Sequence, residues 1–301
     1  MATTNKTLKM QGLNKKNINT SQNTKSKIKE FFVTFAIYAE LIMVSAIVLV
    51  PILWIIGSSF NQGSSLASST MFPENPTLKH YRTLLTETNY IRWYINTFKI
   101  AVIHMILSVC LSTSMGYIFA RFRFKGKKVA LISILVIQMF PGFMAMTALY
   151  VLFFTFNLLD NHWALILCYA AGQIPINTWL IKGYLNSIPR ELDESAMLDG
   201  ASKIQTFTHI IFPLVKPIVS FVAVTAFMTP WMDFIFPRLI ISTNSNLTLA
   251  VGLFDMITGD TQNSYTMFAA GAVLVAVPIT IAYISLQKYL IEGITAGASK
   301  G

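Results

Sequence analysis

The chain has 301 residues, of which 54% are hydrophobic and only 12% charged. Average soluble proteins carry roughly 25% charged residues, so this composition excludes an ordinary soluble domain. The formal net charge of +10 does not make it a nucleic-acid binder either, because the positive charge sits in two short blocks beside long apolar runs.

The first block is a polar tail, residues 1–30, with seven lysines and one glutamate for a net of +6. Thirty polar residues before the first apolar run leave no cleavable signal in view, so that run is expected to be an uncleaved anchor. Six transmembrane helices are expected, at about 31–56, 95–120, 129–156, 163–184, 213–240 and 266–290. Each is long enough for a bilayer, which takes about 20 residues per helix. Helices are the fold of choice because lipid-facing backbone must be satisfied within its own segment. The fold class is therefore an all-α integral membrane protein, and a bacterial plasma membrane is the expected site.

The segment 57–94, with Pro73 and Pro76, reads as an extracytoplasmic loop. The second block of charge, Arg121, Arg123, Lys125, Lys127 and Lys128, follows the second span. Basic clusters beside spans mark cytoplasmic segments. The tail 1–30, this loop, the long loop 185–212 and the C-terminal tail 291–301 are then all expected in the cytoplasm. Residues 95–290 would form the transmembrane domain proper, including the loop 185–212.

Within the second span, Ser108, Ser112, Gly116 and Ala120 recur every four residues. Such a ridge lets another helix come close, and Ala272 and Ala276 repeat the device in the sixth span. Cys110 and Cys168 fall inside spans and read as small packing residues rather than a disulfide or a metal pair. Pro141-Gly142, Pro175, Pro230 and Pro278 interrupt spans at mid-depth and predict bends. Of the ionisable residues at membrane depth, Lys99 can snorkel, Asp233 can pair with Arg238, and His104 reads as a packed, hydrogen-bonded imidazole; Glu40 is left over.

The loop 185–212 is charged and turn-broken, yet lies between two apolar runs. Ser187 is placed to cap a helix with Pro189 in its first turn, and Glu191, Asp193 and Glu194 near its positive end. Gly200 can end that helix in a left-handed turn, after which Ser202 can cap a second helix carrying Ile204, Phe207, Ile210 and Ile211. The result is a helix-turn-helix against the ends of the fourth and fifth spans.

The residues Glu194, Ser195, Ala196, Asp199, Gly200, Ala201, Phe207, Pro213 and Pro217 carry a more specific signal. Their order and spacing closely resemble the EAA loop of ATP-binding-cassette importer permeases, with Ser195 standing where the family has alanine. The resemblance extends over roughly 95–301. Gln138-Met139-Phe140-Pro141, Asn177-Thr178-Trp179-Leu180, Ile188-Pro189, Phe268-Ala269-Ala270-Gly271 and Val277-Pro278-Ile279-Thr280 look like carbohydrate-importer permeases. The ending Gly293 to Gly301 is similar to maltose-type, MalG-like permeases. Met232 departs from the asparagine that many of them have after the tryptophan.

This resemblance implies that the first short helix couples to a separate ATPase subunit. Glu194 would offer it a charge, Ala196 and Ala201 would allow close approach, and Gly200 would set the turn. It also implies that Thr295, Ala296 and Gly297 contact the ATPase dimer. The pathway candidates are Gln138, Phe140, Tyr150, Asn177 and Trp231, which pair hydrogen-bonding with aromatic surface. No phosphate-binding loop is present, since Gly126-Lys127 is followed by Lys128. No metal cluster or nucleophile–base pair stands out. The chain is therefore expected not to be an enzyme and to hold no cofactor, with ATP and Mg on the partner ATPase. The partners implied are a second, non-identical permease, an ATPase dimer, an extracellular sugar-binding protein and membrane lipid, with maltose or maltodextrin as the cargo. Other oligosaccharides, a glycerol-phosphate-type solute, or a proton-driven carrier working through Glu40 or Asp233 are the alternatives.

Overall fold

The computed structural model describes residues 2–65, 70–258 and 264–298, with side chains over 30–65, 70–258 and 264–288 apart from 282 and 286. The described residues are helical, with no strand among them. α1 (Ala2–Ser59) contains the first apolar run, Glu30–Ser59. α2 (Lys79–Glu87) is short and precedes α3 (Tyr90–Arg121). α4 (Lys127–Gln138) and α5 (Met146–Thr155) are bent by 86° relative to each other, and α6 (His162–Leu185) follows. The loop region holds α7 (Glu191–Leu198), α8 (Lys203–Gln205), a π-helical turn at Thr206–Ile211 and α9 (Phe212–Leu214). α10 (Lys216–Met232), α11 (Ile235–Ile240) and α12 (Leu249–Thr258) lead to α13 (Tyr265–Ala298).

Among the described residues, four helices are long and apolar enough to cross a membrane, and up to six passes exist if each bent pair is one span. The pairs are α4 with α5, and Lys203–Leu214 with α10, the latter bent by 79°.

Two hydrophobic cores fix the directions of the helices. The larger gathers Tyr90 and Trp93 of α3, Leu165 and Ile166 of α6, and Val251 and Leu253 of α12. The smaller gathers Tyr117, Ala120, Ile181, Leu185, Ile211, Val215 and Ile218. The starts of α3 and α6 thus lie at one end and their last turns at the other, with α10 beginning where they finish. α3 packs most extensively on α6 and next on α10. The small-residue ridge explains how closely. Ser108, Ser112, Gly116 and Ala120 are all buried, and a Cβ on Gly116 would stand 2.7 Å from Ile181 Cγ2. The repeat in α13 differs, since Ala276 is exposed.

The helix breaks are fewer than the interrupting prolines. α6, α10 and α13 run as helices through Pro175, Pro230 and Pro278. The first break is at Pro141, ahead of a 3-10 turn at Gly142–Ala145, and the second is at Val215, between Pro213 and Pro217. Pro213 and Pro217 have no N–H to give to the carbonyls four residues back, so the ladder loses two bonds around Val215, whose own N–H still reaches the Ile211 carbonyl at 3.1 Å. Of the three prolines within continuous helices, Pro230 is buried, Pro175 half-buried and Pro278 exposed.

The fifth helix also stops earlier than the expected 213–240, at Met232. Asp233 is extended, and its Oδ1 accepts from the N–H of Ile235 at 3.0 Å and of Phe236 at 3.3 Å, which starts α11 afresh. The expected pairing of Asp233 with Arg238 is not formed. Tyr169 donates its hydroxyl to Asp233 Oδ2 at 2.9 Å, while Arg238 pairs with Asp255 at 3.0 Å. His104 is fully buried, with Nδ1 2.8 Å from the Ala226 carbonyl. Both cysteines are free; Cys168 borders the larger core and Cys110 is exposed.

At the α6-start end, Asp160 ties two loops together. Its carboxylate accepts from the N–H of Ser242 at 3.0 Å, of Thr243 at 2.9 Å, and from Asn246 Nδ2 at 3.0 Å. Burial alone would raise its pKa, but these donors outweigh burial and hold the carboxyl below its ordinary value.

Candidate functional site

α7 is an eight-residue helix with Glu191, Asp193 and Glu194 in its first turn, where the helix dipole favours negative charge. Ser187 does not cap it. Its hydroxyl instead donates to the Tyr184 carbonyl at 2.7 Å, finishing α6, and Arg190 takes the cap position without a side-chain bond. The turn after α7 is formed as its glycine requires. Gly200 has φ +85°, the Ala201 N–H reaches the Ala196 carbonyl at 3.0 Å, and the Gly200 N–H reaches Met197 at 3.1 Å. This pair of bonds is a Schellman motif, which satisfies carbonyls that the helix end leaves free. Ser202 then caps the next helix reciprocally: the Gln205 N–H meets Ser202 Oγ at 3.3 Å, and the Ser202 N–H meets Gln205 Oε1 at 2.8 Å.

The loop has an inner and an outer face. Asp193 and Ala196, three residues apart and so on one side of α7, are each 5% exposed. Ala196 therefore lets α7 approach its own chain, rather than offering the close outside contact that the sequence suggested. Glu194, Ser195, Asp199 and Gly200 are exposed, and Ala201 is half-buried. Leu198 and Ile204 stand out at 89% and 75% exposure. Acidic and apolar side chains of this loop are thus both open to solvent. Phe207 turns inward, its ring 4.7 Å from that of Tyr117. Pro213 is exposed and Pro217 half-buried, flanking the bend into α10.

On the inner face a pair of charges appears that sequence reading did not join. Arg121 Nε lies 3.0 Å from Asp193 Oδ2, with both side chains 7% exposed. Arg121 Nη2 also donates to the Ile188 carbonyl at 3.1 Å, and Arg190 Nη2 donates to the Ala120 carbonyl at 2.9 Å. Lys203 sits over the Phe122 ring at 5.0 Å. These groups border a cavity of ≈ 340 Å³ with Tyr117, Arg123 and Glu194. Burial pushes the Asp193 carboxyl above its ordinary pKa, and the Arg121 charge only partly offsets this. Sequence had placed Arg121 in a basic cluster and Asp193 at a helix dipole. The signal available was the spacing of Asp193 and Ala196, which puts a carboxylate on the buried stripe.

The five pathway candidates do not share one environment. Gln138 Nε2 donates to the Gly172 carbonyl at 2.9 Å, linking α4 to α6. Phe140 is 74% exposed beside the break at Pro141, and Tyr150 is also exposed. Asn177 is buried, and its Nδ2 has no partner among the described residues. Trp231 packs on Tyr94 at 5.0 Å and on Phe227 at 6.0 Å. A further cavity of ≈ 690 Å³ flanks α10 instead, lined by Thr225, Met228, Thr229, Asp233 and Tyr283 among others. Thr295, Ala296 and Gly297 continue α13 in backbone, and their side chains lie outside the described residues.

With this loop and helix set in view, the comparison with known proteins is direct. Residues 109–295 match the family described as binding-protein-dependent transport system inner membrane component. The chain belongs to that family. It is 43% identical to the galactooligosaccharides transport system permease protein GanQ of Bacillus subtilis, across 91% of this chain and 98% of that protein. It is 42% identical to the maltodextrin transport system permease protein MdxG of the same organism, across 88% and 95%. Among solved structures, a chain of a bacterial ABC transporter involved in the import of the acidic polysaccharide alginate superposes with a TM-score of 0.77. That likeness covers 86% of this chain and 96% of the other at 21% identity, and speaks for the fold.

Proposed function

We propose that this chain is one of two permease subunits of an ATP-driven oligosaccharide importer, with its loop over α7 to α9 as the docking element for a separate ATPase. The observation that carries the reading is the loop itself. It presents Glu194, Asp199, Leu198 and Ile204 outward, while its inner face is fastened to α3. Exposed apolar side chains beside carboxylates on a capped loop are in keeping with a surface that docks on a protein partner.

In this reading the α4–α5 pair makes one crossing and α10, beyond its bend from the loop, makes another, which brings the total to six. The loop, the basic residues after α3 and both termini share the cytoplasmic side, in keeping with the distribution of Lys and Arg. ATP binding, with its Mg, closes the ATPase dimer, draws the docked loops together and favours the outward-facing state. An extracellular binding protein delivers the sugar, and hydrolysis returns the pair to the inward-facing state. Each partner shifts the equilibrium only by binding the two states unequally. The second permease is a non-identical homologue that completes the pathway, and the end of α13 around Thr295, Ala296 and Gly297 reaches the ATPase dimer.

Maltodextrin is the cargo we favour. The similarity to GanQ makes galactooligosaccharide the specific second reading. The test is gentle extraction of the tagged chain, identification of its stoichiometric partners by mass spectrometry, and uptake of each labelled sugar by the reconstituted complex. An ATPase and a second permease are expected. A chain that extracts alone and still transports would replace this reading with a secondary carrier.

A further inference from the structure

We propose that the Arg121–Asp193 ion pair is the joint that carries movement of the loop into α3, so that α7 and α3 travel as one rigid body during the transport cycle; this rests on the ATP-driven permease reading above.

Chain connectivity does not provide that link. The loop is joined by backbone to the last turn of α6 and, through the bend at Val215, to α10. α3 ends at Arg121, far back in the sequence, yet it is the helix that packs most widely on the others. A docked loop that moved only its covalent neighbours would pass its motion through a 79° bend on one side and a short connector on the other. The contacts with α3 bypass both.

One ion pair and two hydrogen bonds hold the joint. Arg121 Nε stands 3.0 Å from Asp193 Oδ2 as an ion pair without hydrogen-bond alignment, and its Nη2 donates to the Ile188 carbonyl at 3.1 Å. In return, Arg190 grips the Ala120 carbonyl at 2.9 Å, one of the last carbonyls of α3, which have no partner within the helix. Each side of the joint therefore supplies one arginine to the other. Tyr117 against Phe207, and Lys203 over Phe122, brace it from the second loop helix. The carboxylate and the guanidinium are both withdrawn from solvent, so the attraction between them is little screened.

The experiment uses the full complex in nanodiscs, with spin labels on cysteines at Ile106 and Glu191 in a Cys110→Ser, Cys168→Ser background. Both positions are exposed, and Ile106 lies about 22 Å up α3 from Arg121 at 1.5 Å per residue. The paired variant Arg121→Gln, Asp193→Asn removes both charges at once, so neither is left buried alone. With the joint intact, the Ile106–Glu191 distance is narrow and the same in nucleotide-free and ATP-trapped complexes. In the paired variant that distance broadens. The ATPase still binds and still hydrolyses ATP when the binding protein is added, while sugar imported per ATP drops by at least about tenfold. A merely structural pair would not lower that ratio in complexes that assemble and hydrolyse normally. A native distance that differs between the two nucleotide states overturns the proposal, even if the paired variant fails to assemble. Native sugar imported per ATP in the variant overturns it as well. Failure of the unaltered chain to bind any ATPase is a separate result, and rejects the permease reading itself.

Discussion

Gly200→Val is the sharpest test of how the loop is built. Gly200 stands at φ +85°, and a Cβ there would meet nothing within 4 Å. The penalty of a side chain is therefore in the backbone and not in a clash. A non-glycine residue in the left-handed region costs roughly 1–2 kcal/mol, and a β-branched one sits at the upper end. If the turn relaxes instead, the chain loses the bonds from Ala201 to Ala196 and from Gly200 to Met197. Those are worth about 1 kcal/mol each. Either route comes to about 2 kcal/mol, which shifts the ratio of the correctly angled loop to its alternatives by roughly 30-fold. The assay is titration of the ATPase subunit onto the permease pair in nanodiscs, with the amount of chain in the membrane measured by quantitative blot. Membrane levels should stay normal while ATPase affinity falls, by up to roughly 30-fold. Gly200→Asn, which tolerates the left-handed region, should stay within about threefold of the parent. Unaltered affinity in Gly200→Val would falsify the role of the turn. An asparagine variant as weak as the valine one would move the cause from backbone strain to the side chain.

Three further outcomes are expected. Ser202→Ala removes the reciprocal cap with Gln205 and should cost about 1 kcal/mol, read as faster hydrogen exchange across α8 and the π-helical turn; unchanged protection would count against the cap. Gly116→Ala sets a methyl 2.7 Å from Ile181 Cγ2 and should lower thermal stability by about 1–3 kcal/mol, with Ile181→Ala restoring part of the loss. No recovery in the double variant would mean that the strain lies elsewhere. Asp160→Asn keeps the shape but weakens the acceptor of the Ser242, Thr243 and Asn246 donors, at a cost of about 1–2 kcal/mol for this part-exposed group. The folded-state pKa of Asp160 lies below 3.8, so its stabilisation is complete above that value and fades as the pH falls through the lowered one. Thermal unfolding of parent and variant should therefore differ near neutrality and converge in acid; a constant gap would refute the assignment.

Sequence alone determined the features that depend on neighbours along the chain. The apolar runs follow from the length of hydrocarbon to be crossed. The turn at Gly200 and the cap at Ser202 need only bonds within five residues, so pattern and stereochemistry suffice to find them. The small-residue ridge on α3 was legible for the same reason, as one face of one helix. What faces what was decided by the tertiary structure. Asp193 and Glu194 are adjacent and alike in charge, yet one is buried against Arg121 and the other stands in solvent. Ala196 turned inward, Ser187 went to finish α6, and Asp233 took Tyr169 while Arg238 took Asp255. The prolines divide in the same way. Pro141 and the Pro213–Pro217 pair mark the breaks, whereas Pro175, Pro230 and Pro278 lie within continuous helices. Whether a missing backbone bond breaks a helix depends on more than the proline itself, and a charge finds its partner only after distant helices have come together. Neither outcome is a property of a local stretch of sequence.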